Sequence, residues 1–359
     1  MLTLPGKKMR IQALCLGLVT TLVLGVLGST VLGQSNTANG FNISTTPVVA
    51  NLVTKPGVST STKIQVKNNN INVEHIKVSL LRFTSNNENG TPELIEPDQD
   101  DEFLKWVKFS ETKFDAEPNV WKTIDLTISP PASAAFGYYY AVVFTRDNAT
   151  SQIEVTNLNG AVAIPILLDV NAPGEVRKAD ITAFKSNRNV FEFLPATFTV
   201  DLKNSGNTHV APRGNIFITK GGKSIGTLEV NQAKGNILPN TGRQFTAEWS
   251  DGSPAYKLNE VDGKVVLKDG KQTHKLDWSN FNPSKLRFGK YHAKVAMVYD
   301  DGTGDVSSEA ELDFWVIPWR IIGVSLLLIL ILAAGLWALV IRPLRKGIRK
   351  LPTNRLKKH

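Results

Sequence analysis

The sequence predicts an all-β chain: two tandem immunoglobulin-like β-sandwiches, with an N-terminal signal peptide and one C-terminal transmembrane helix. Three observations carry this expectation. The formal charge of +9 sits at the two ends. An uncharged apolar run lies near the C-terminus. Between the ends, short runs of β-branched and aromatic residues alternate with polar ones and are interrupted by Asn, Gly and Pro, as strands of sandwiches are.

Residues 1–33 open with Lys7, Lys8 and Arg10, continue as an apolar stretch from Ile11 to about Val26, and end in small residues before Gly33. This is the layout of a secretory signal peptide cleaved after Gly33, or of an anchor if it is retained. Cys15, the single cysteine, would leave with a cleaved leader, so neither sandwich is expected to hold a disulfide. Leu14 before it is too large for a lipoprotein signal.

The first sandwich is expected over 41–171. Its strand candidates are 41–47, 63–68, 76–84, 107–114, 122–129, 138–146 and 160–170. Residues 63–67 and 124–128 alternate strictly, the mark of strands with one buried face. Asn171-Ala172-Pro173-Gly174-Glu175 breaks the pattern, and 172–178 reads as a linker.

The second sandwich is expected over 179–317, with runs at 180–185, 196–203, 214–219, 226–230, 244–249, 264–268, 291–299 and 310–316. Gly221-Gly222 and Asp269-Gly270 read as hairpin turns. The halves resemble each other. Val66-Lys67-Asn68-Asn69 matches Leu202-Lys203-Asn204-Ser205, and Phe136-Gly137-Tyr138-Tyr139 matches Phe288-Gly289-Lys290-Tyr291. The second half is longer by an insertion at 251–285.

Residues 319–341 form the membrane-helix candidate, 21 uncharged residues from Ile321 to Ile341 entered through Pro318. Trp315 and Trp319 fall where an interfacial aromatic belt belongs, and Arg342, Arg345 and Lys346 begin a basic tail, 342–359, that the positive-inside rule assigns to the cytoplasm. The body between the ends carries a net −3 and would lie outside. The basic pI is therefore a topology signal, with anionic lipid as the partner of the tail, and gives no footing for nucleic-acid binding.

Two segments, Phe103-Leu104-Lys105-Trp106-Val107-Lys108-Phe109 and Phe136-Gly137-Tyr138-Tyr139-Tyr140-Ala141, resemble the N-terminal domain of the bacterial WxL-interacting-protein family. The order of leader, two Ig-like domains, helix and short basic tail is similar too. The resemblance implies a first domain that binds peptidoglycan and a second that meets partner proteins at the cell surface. Asn204-Ser205-Gly206-Asn207 and the 251–285 insertion depart from the family pattern.

Motifs that could carry chemistry have plainer readings. Leu238-Pro239-Asn240-Thr241-Gly242 spells a sortase signal but stands far from the apolar run that signal needs, and its composition suits a β-turn. Gly222-Lys223-Ser224-Ile225-Gly226 spells a nucleophile elbow, which requires a following helix; the residues after it read as strand. His75, His209, His274, His292 and His359 lack metal-ligand spacing. Asp98, Asp100, Asp101 and Glu102, and Asp300, Asp301 and Asp305, are acidic clusters without a calcium-loop pattern, read as solvated surface or a weak Ca²⁺ site. Asn42-Ile43-Ser44 and Asn148-Ala149-Thr150 match the glycosylation triplet, a pattern that an Asn-rich chain produces by chance.

Aromatics remain. Trp106, Trp121, Trp249, Tyr138, Tyr139, Tyr140 and Trp278 could stack on sugar rings or fill cores. Of these, Trp106, Tyr138, Tyr139, Tyr140 and Trp278 are the candidate ligand or partner contacts. No catalytic residue, cofactor or metal is expected. The sequence thus points to a static surface protein that binds a cell-wall polymer or a surface protein. The alternative is an assembly scaffold or chaperone that pairs a sheet edge with a partner strand.

Overall fold

The computed structural model describes residues 40–98, 100–147 and 160–341. The expected leader 1–33, the second glycosylation triplet and the tail 342–359, with Arg342, Arg345 and Lys346, lie outside the described residues.

The first sandwich is built from β1 (Ile43–Thr46), β2 (Ala50–Thr54), β3 (Thr60–Asn68), β4 (Glu74–Ser85), β5 (Pro92–Ile95), β6 (Val107–Phe109), β7 (Lys113–Ala116), β8 (Trp121–Ile128), β9 (Phe136–Arg146) and β10 (Ala161–Val170). One sheet has the order β1-β3-β8-β6; the other runs β2-β10-β9-β4-β5, with β7 also on β4. Alternation does what the sequence promised. Ile64 and Val66 of β3 and Ile124, Leu126 and Ile128 of β8 point inward onto Val78, Val142, Phe144 and Ile166 of the facing sheet.

The second sandwich contains β11 (Ala179–Ser186), β12 (Val190–Phe191), β13 (Ala196–Asn204), β14 (Arg213–Lys220), β15 (Lys223–Val230) and β16 (Gly242–Trp249). An arm follows, β17 (Ala255–Leu258) to β22 (His274–Asp277), and then β23 (Gly289–Asp300) and β24 (Asp305–Val316). Its sheets are β11-β13-β16 and β12-β24-β23-β14-β15. Phe198, Val200 and Leu202 pack onto Ile216, Val295 and Phe314, with Trp249 fully enclosed among them.

The internal match is structural. One constant offset in numbering carries the β1–β3 pair Ile43 and Asn68 onto the β11–β13 pair Ala179 and Asn204. At β9 and β23 the sequence match is off by one residue. Phe136 opposite Val170 corresponds to Gly289 opposite Val316, and both have positive φ, 69° and 102°. Tyr138 then corresponds to Tyr291, and each hydroxyl accepts a bond from the backbone N–H three residues earlier, of Ala135 and of Phe288. Gly137 answers a local demand of the first sandwich instead, since a Cβ there would lie 2.0 Å from the Tyr139 hydroxyl.

Two local expectations change, and further short elements join the expected ones. The run 107–114 is two strands, β6 on β8 and β7 on β4, because the chain crosses between sheets at Ser110–Thr112, where four polar residues in a row shift the apolar positions from 107 and 109 to 114 and 116. Residues 103–106 form one helical turn. The run 264–268 belongs to the arm, as β19 (Lys264–Val265) on β18 (Glu260–Val261) and β20 (Leu267–Lys268) on β21 (Lys271–Gln272). The short strands β2, β5 and β12 carry too few residues to show a period.

β24 passes through Ile317 and Pro318 into the helix Trp319–Leu336. The stretch Trp319–Leu339 has a mean hydropathy of 2.7, and none of the residues in its apolar window is buried inside the protein. A helix apolar on every side and long enough to cross a bilayer has lipid as its natural solvent.

Candidate functional site

The aromatics singled out in the sequence divide by strand geometry. Successive residues of a strand face opposite ways, so Tyr138 and Tyr140 of β9 point into the first sandwich and Tyr139 points out. The helical turn sets Phe103 and Trp106, three apart, on one face. They close over the inward pair: Phe103 stacks on Tyr140 with centroids 3.8 Å apart, and Trp106 meets Tyr138 edge-on at 5.0 Å. Tyr140 donates its hydroxyl to Asp101 at 2.6 Å. Burial, and then the Asp101 carboxylate, push the Tyr140 pKa well above the usual phenol value. Trp106, Tyr138 and Tyr140 therefore hold one another, and Trp249 lies deep in the second core. Trp121 is exposed under the Lys67 ammonium. Trp278 is exposed, packed edge-on against Phe193.

Tyr139 leads to the joint between the sandwiches. On this outer face the sheet is apolar again: Leu81, Phe83, Ala141, Val143 and Leu167 are buried, and Leu238 of the second sandwich is set among them. Burial raises the Tyr139 pKa far above 10. Its ring meets His209 of the second sandwich edge-on at 5.8 Å. Burial, with the Arg177 charge nearby, pushes the His209 pKa down to about 4, so this imidazole is neutral at pH 7.

The linker is fastened across the joint. The Asn207 side chain accepts from the Val176 N–H and donates to the Gly174 carbonyl, and the Ser205 N–H donates to the Lys178 carbonyl. A Cβ on Gly206 would sit 2.1 Å from the Val176 carbonyl oxygen, so the close approach requires glycine. Arg177 bridges Glu175 and the buried Asp169; burial opposes its charge, but the two carboxylates outweigh that and hold its pKa up. The loop after β4 adds two further ties, Asn87 Oδ1 to the Gly242 N–H and the Glu88 carbonyl to the Gln244 N–H, both 2.8 Å.

Beside this fastened joint an open cleft of about 430 Å³ is lined by Arg82, Phe83, Ile95 and Tyr139 from the first sandwich and by Leu238 and Pro239 from the second, among others. A second hollow, about 570 Å³, flanks it with a polar lining that includes Glu88, Asp201 and Arg243. The cleft mixes the apolar side chains of Phe83, Ile95, Leu238 and Pro239 with the polar groups of Thr84, Asn207, Asn240 and Thr241, and its half-exposed guanidinium, Arg82, faces Asp98 and Asp101 at 3.5 and 3.9 Å. Of the sequence candidates only Tyr139 lies here. Arg82, Ile95 and His209 were missed, although one signal was readable. Residues 141–144 and 166–168 are apolar without alternation, as in a sheet covered on both faces.

The remaining motifs take structural places. Leu238 plugs the joint, Asn240 turns with φ 60°, and the Thr241 hydroxyl donates back to the Leu238 carbonyl. Ser224 lies on hairpin strand β15 after the Gly221-Gly222 turn. His292 sits between Glu311 and Asp313 on the sheet surface. Among the described residues no three His, Cys, Asp or Glu side chains are grouped to hold a metal ion.

No family model and no curated protein matches the sequence. Solved structures with a similar course of chain include a chain of a chaperone–tip adhesin complex of CFA/I fimbriae biogenesis. It has 14% identity and a TM-score of 0.33, covering 77% of this chain and 99% of that one. The E. coli chaperone DraB has 15% identity and a TM-score of 0.30, with 76% and 98% covered. The Pseudomonas aeruginosa chaperone CupB2 has 9% identity and a TM-score of 0.30, with 75% and 100% covered.

Proposed function

We propose that the chain is a non-enzymatic, membrane-anchored cell-surface protein that holds a protein partner in the cleft between its two sandwiches. The observation that carries this reading is the cleft itself. It is a hollow of mixed apolar and polar lining with Arg82 among its residues, built on a joint whose linker is hydrogen-bonded at several points, so the site is preformed. The sandwiches face outward and the tail inward, on the strength of the basic residues after 341. The resemblance to WxL-interacting proteins supports the cell-surface setting. A cell-wall polymer is the less favoured ligand, because Trp106, Tyr138 and Tyr140 are engaged with one another and Asp101.

Strand addition is the second reading. β5 has no outer neighbour in its sheet among the described residues, and its Ile95 lines the cleft. A photo-crosslinker at Ile95 in native membranes tests both. Discrete protein adducts that vanish with Arg82→Glu support the cleft, and slowed amide exchange over 92–95 in the complex supports strand addition. Binding to purified peptidoglycan without a protein adduct would contradict both.

A further inference from the structure

We propose that the end of the second sandwich nearest the helix is seated on an anionic lipid surface, with Trp278, Phe281 and Phe288 in the headgroup region. This rests on the helix being a membrane anchor and goes beyond it, since a single helix after a two-residue joint fixes no contact between sandwich and bilayer.

Topology brings the residues to one end. β24 finishes at Val316, where β23 begins, and Ala196 at the start of β13 faces Trp249 at the end of β16. The inserted segment between β16 and β23 therefore leaves and returns at the helix end of the sandwich. The β14–β15 turn lies at that end too, because Thr219 pairs with His292 beside the start of β23.

Side chains fix the depth. Arg320 in the first turn of the helix lies 3.3 Å from Glu192, whose other carboxylate oxygen accepts the Tyr256 hydroxyl of the arm at 3.1 Å. Phe193, next in sequence, packs on both Tyr256 and Trp278, and Trp278 packs on Phe281 with centroids 5.5 Å apart. Trp278 and Phe281 thus stand within a few side-chain contacts of the first helical turn, the level at which aromatic belts lie. They are 48% and 44% exposed and Phe288 is 53% exposed, which in water leaves large apolar faces unused. Trp315 and Trp319, exposed on the strand and helix beside them, continue the same belt.

The charge fits the same partner. Lys220 and Lys223 flank the glycine turn on the exposed rim, and Lys220 donates to the Phe288 carbonyl. Asp251 is shared by Lys285 and Arg287, leaving one of those two charges unanswered. Aromatic side chains with lysines around them are the chemistry of a surface that enters an anionic headgroup layer. A soluble protein partner would gain nothing from a patch held at the height of the bilayer.

The test uses the full chain with Cys15→Ser, in nanodiscs of phosphatidylcholine and phosphatidylglycerol, carrying one nitroxide label at Phe281→Cys, Gly304→Cys or Leu330→Cys. Gly304 lies in the β23–β24 turn at the opposite end, with open space around it. The expected result is a label at 281 shielded from an aqueous nickel chelate about tenfold relative to 304, together with a shielded 330. A label at 281 as accessible as that at 304, with 330 shielded, overturns the inference and leaves the anchor standing. An accessible 330 overturns the anchor and the inference together. Hydrogen exchange over 278–288 of the unlabelled chain, compared between nanodiscs and detergent, guards against a label that perturbs the fold. Slower exchange in the discs supports the seating, and equal rates contradict it.

Discussion

Asn68 and Asn204 hold the same place in the two sandwiches and use their amides identically. Each is sealed from solvent at the end of a core strand. Asn68 donates to the carbonyls of Asn72 and Ala116 and accepts from the Asn70 N–H; Asn204 donates to Thr208 and Ile237 and accepts from the Gly206 N–H. A side chain of this shape closes the turn and ties it to a distant strand end at once.

Removing either amide leaves buried backbone groups without partners. Asn68→Ala and Asn204→Ala are each expected to cost about 2–4 kcal/mol in denaturant unfolding. The second should also speed proteolysis over 174–178, because the loop it closes carries Asn207, which pins the linker. Equal linker cleavage in both variants would contradict that difference.

Acid should weaken the joint. His209 has a folded pKa of about 4 against about 6.5 in an unfolded chain. The unfolded state takes up the proton first as pH falls. The stability is present above about pH 6.5, declines below it and is gone once pH has passed about 4, a loss of about 3 kcal/mol. His209→Asn should flatten that part of the stability profile. An unchanged profile would show that the imidazole is not the group responsible.

A charge at position 238 tests the plug. Leu238 is 5% exposed against Leu81, Phe83 and Leu167. Leu238→Asp should open the joint at a cost of about 3 kcal/mol or more, seen as faster amide exchange on the outer face of β9 and β10. The two cores, which Leu238 does not enter, should keep their protection. The same geometry predicts no sortase cleavage at Thr241, whose peptide is folded into the turn beside the plug.

The sandwiches were legible because Ile64, Val66, Ile124 and Leu126 alternate with polar residues at the strand period, and the helix because no charge interrupts 321–341. The repeat was legible through Asn68 and Asn204, whose neighbours in sequence are alike. The crossing at Ser110–Thr112 had a signal in the polar run 110–113, where the apolar positions change phase, but strand-like residues on both sides make the stretch read as one strand. The cleft was hidden for a different reason. Arg82, Tyr139 and Leu238 are far apart in sequence, and only the docking of one sandwich on the other brings them together. The aromatic segments at 103–109 and 136–141 read equally as core and as ligand contact in the sequence, because a cluster that stacks on itself and one that stacks on a sugar use the same residues.

The most direct test of the account is the affinity of the full-length, membrane-embedded chain for the protein captured at Ile95, measured beside the Arg82→Glu and Ile95→Glu variants. Both side chains are exposed enough to change without entering a core. The account predicts binding at least about tenfold weaker in each, the equivalent of 1.4 kcal/mol. Because Arg82 faces Asp98 and Asp101, Arg82→Gln is measured beside Arg82→Glu and is expected to weaken binding in the same direction. Undiminished affinity in both variants would place the partner elsewhere and contradict the cleft as the binding site.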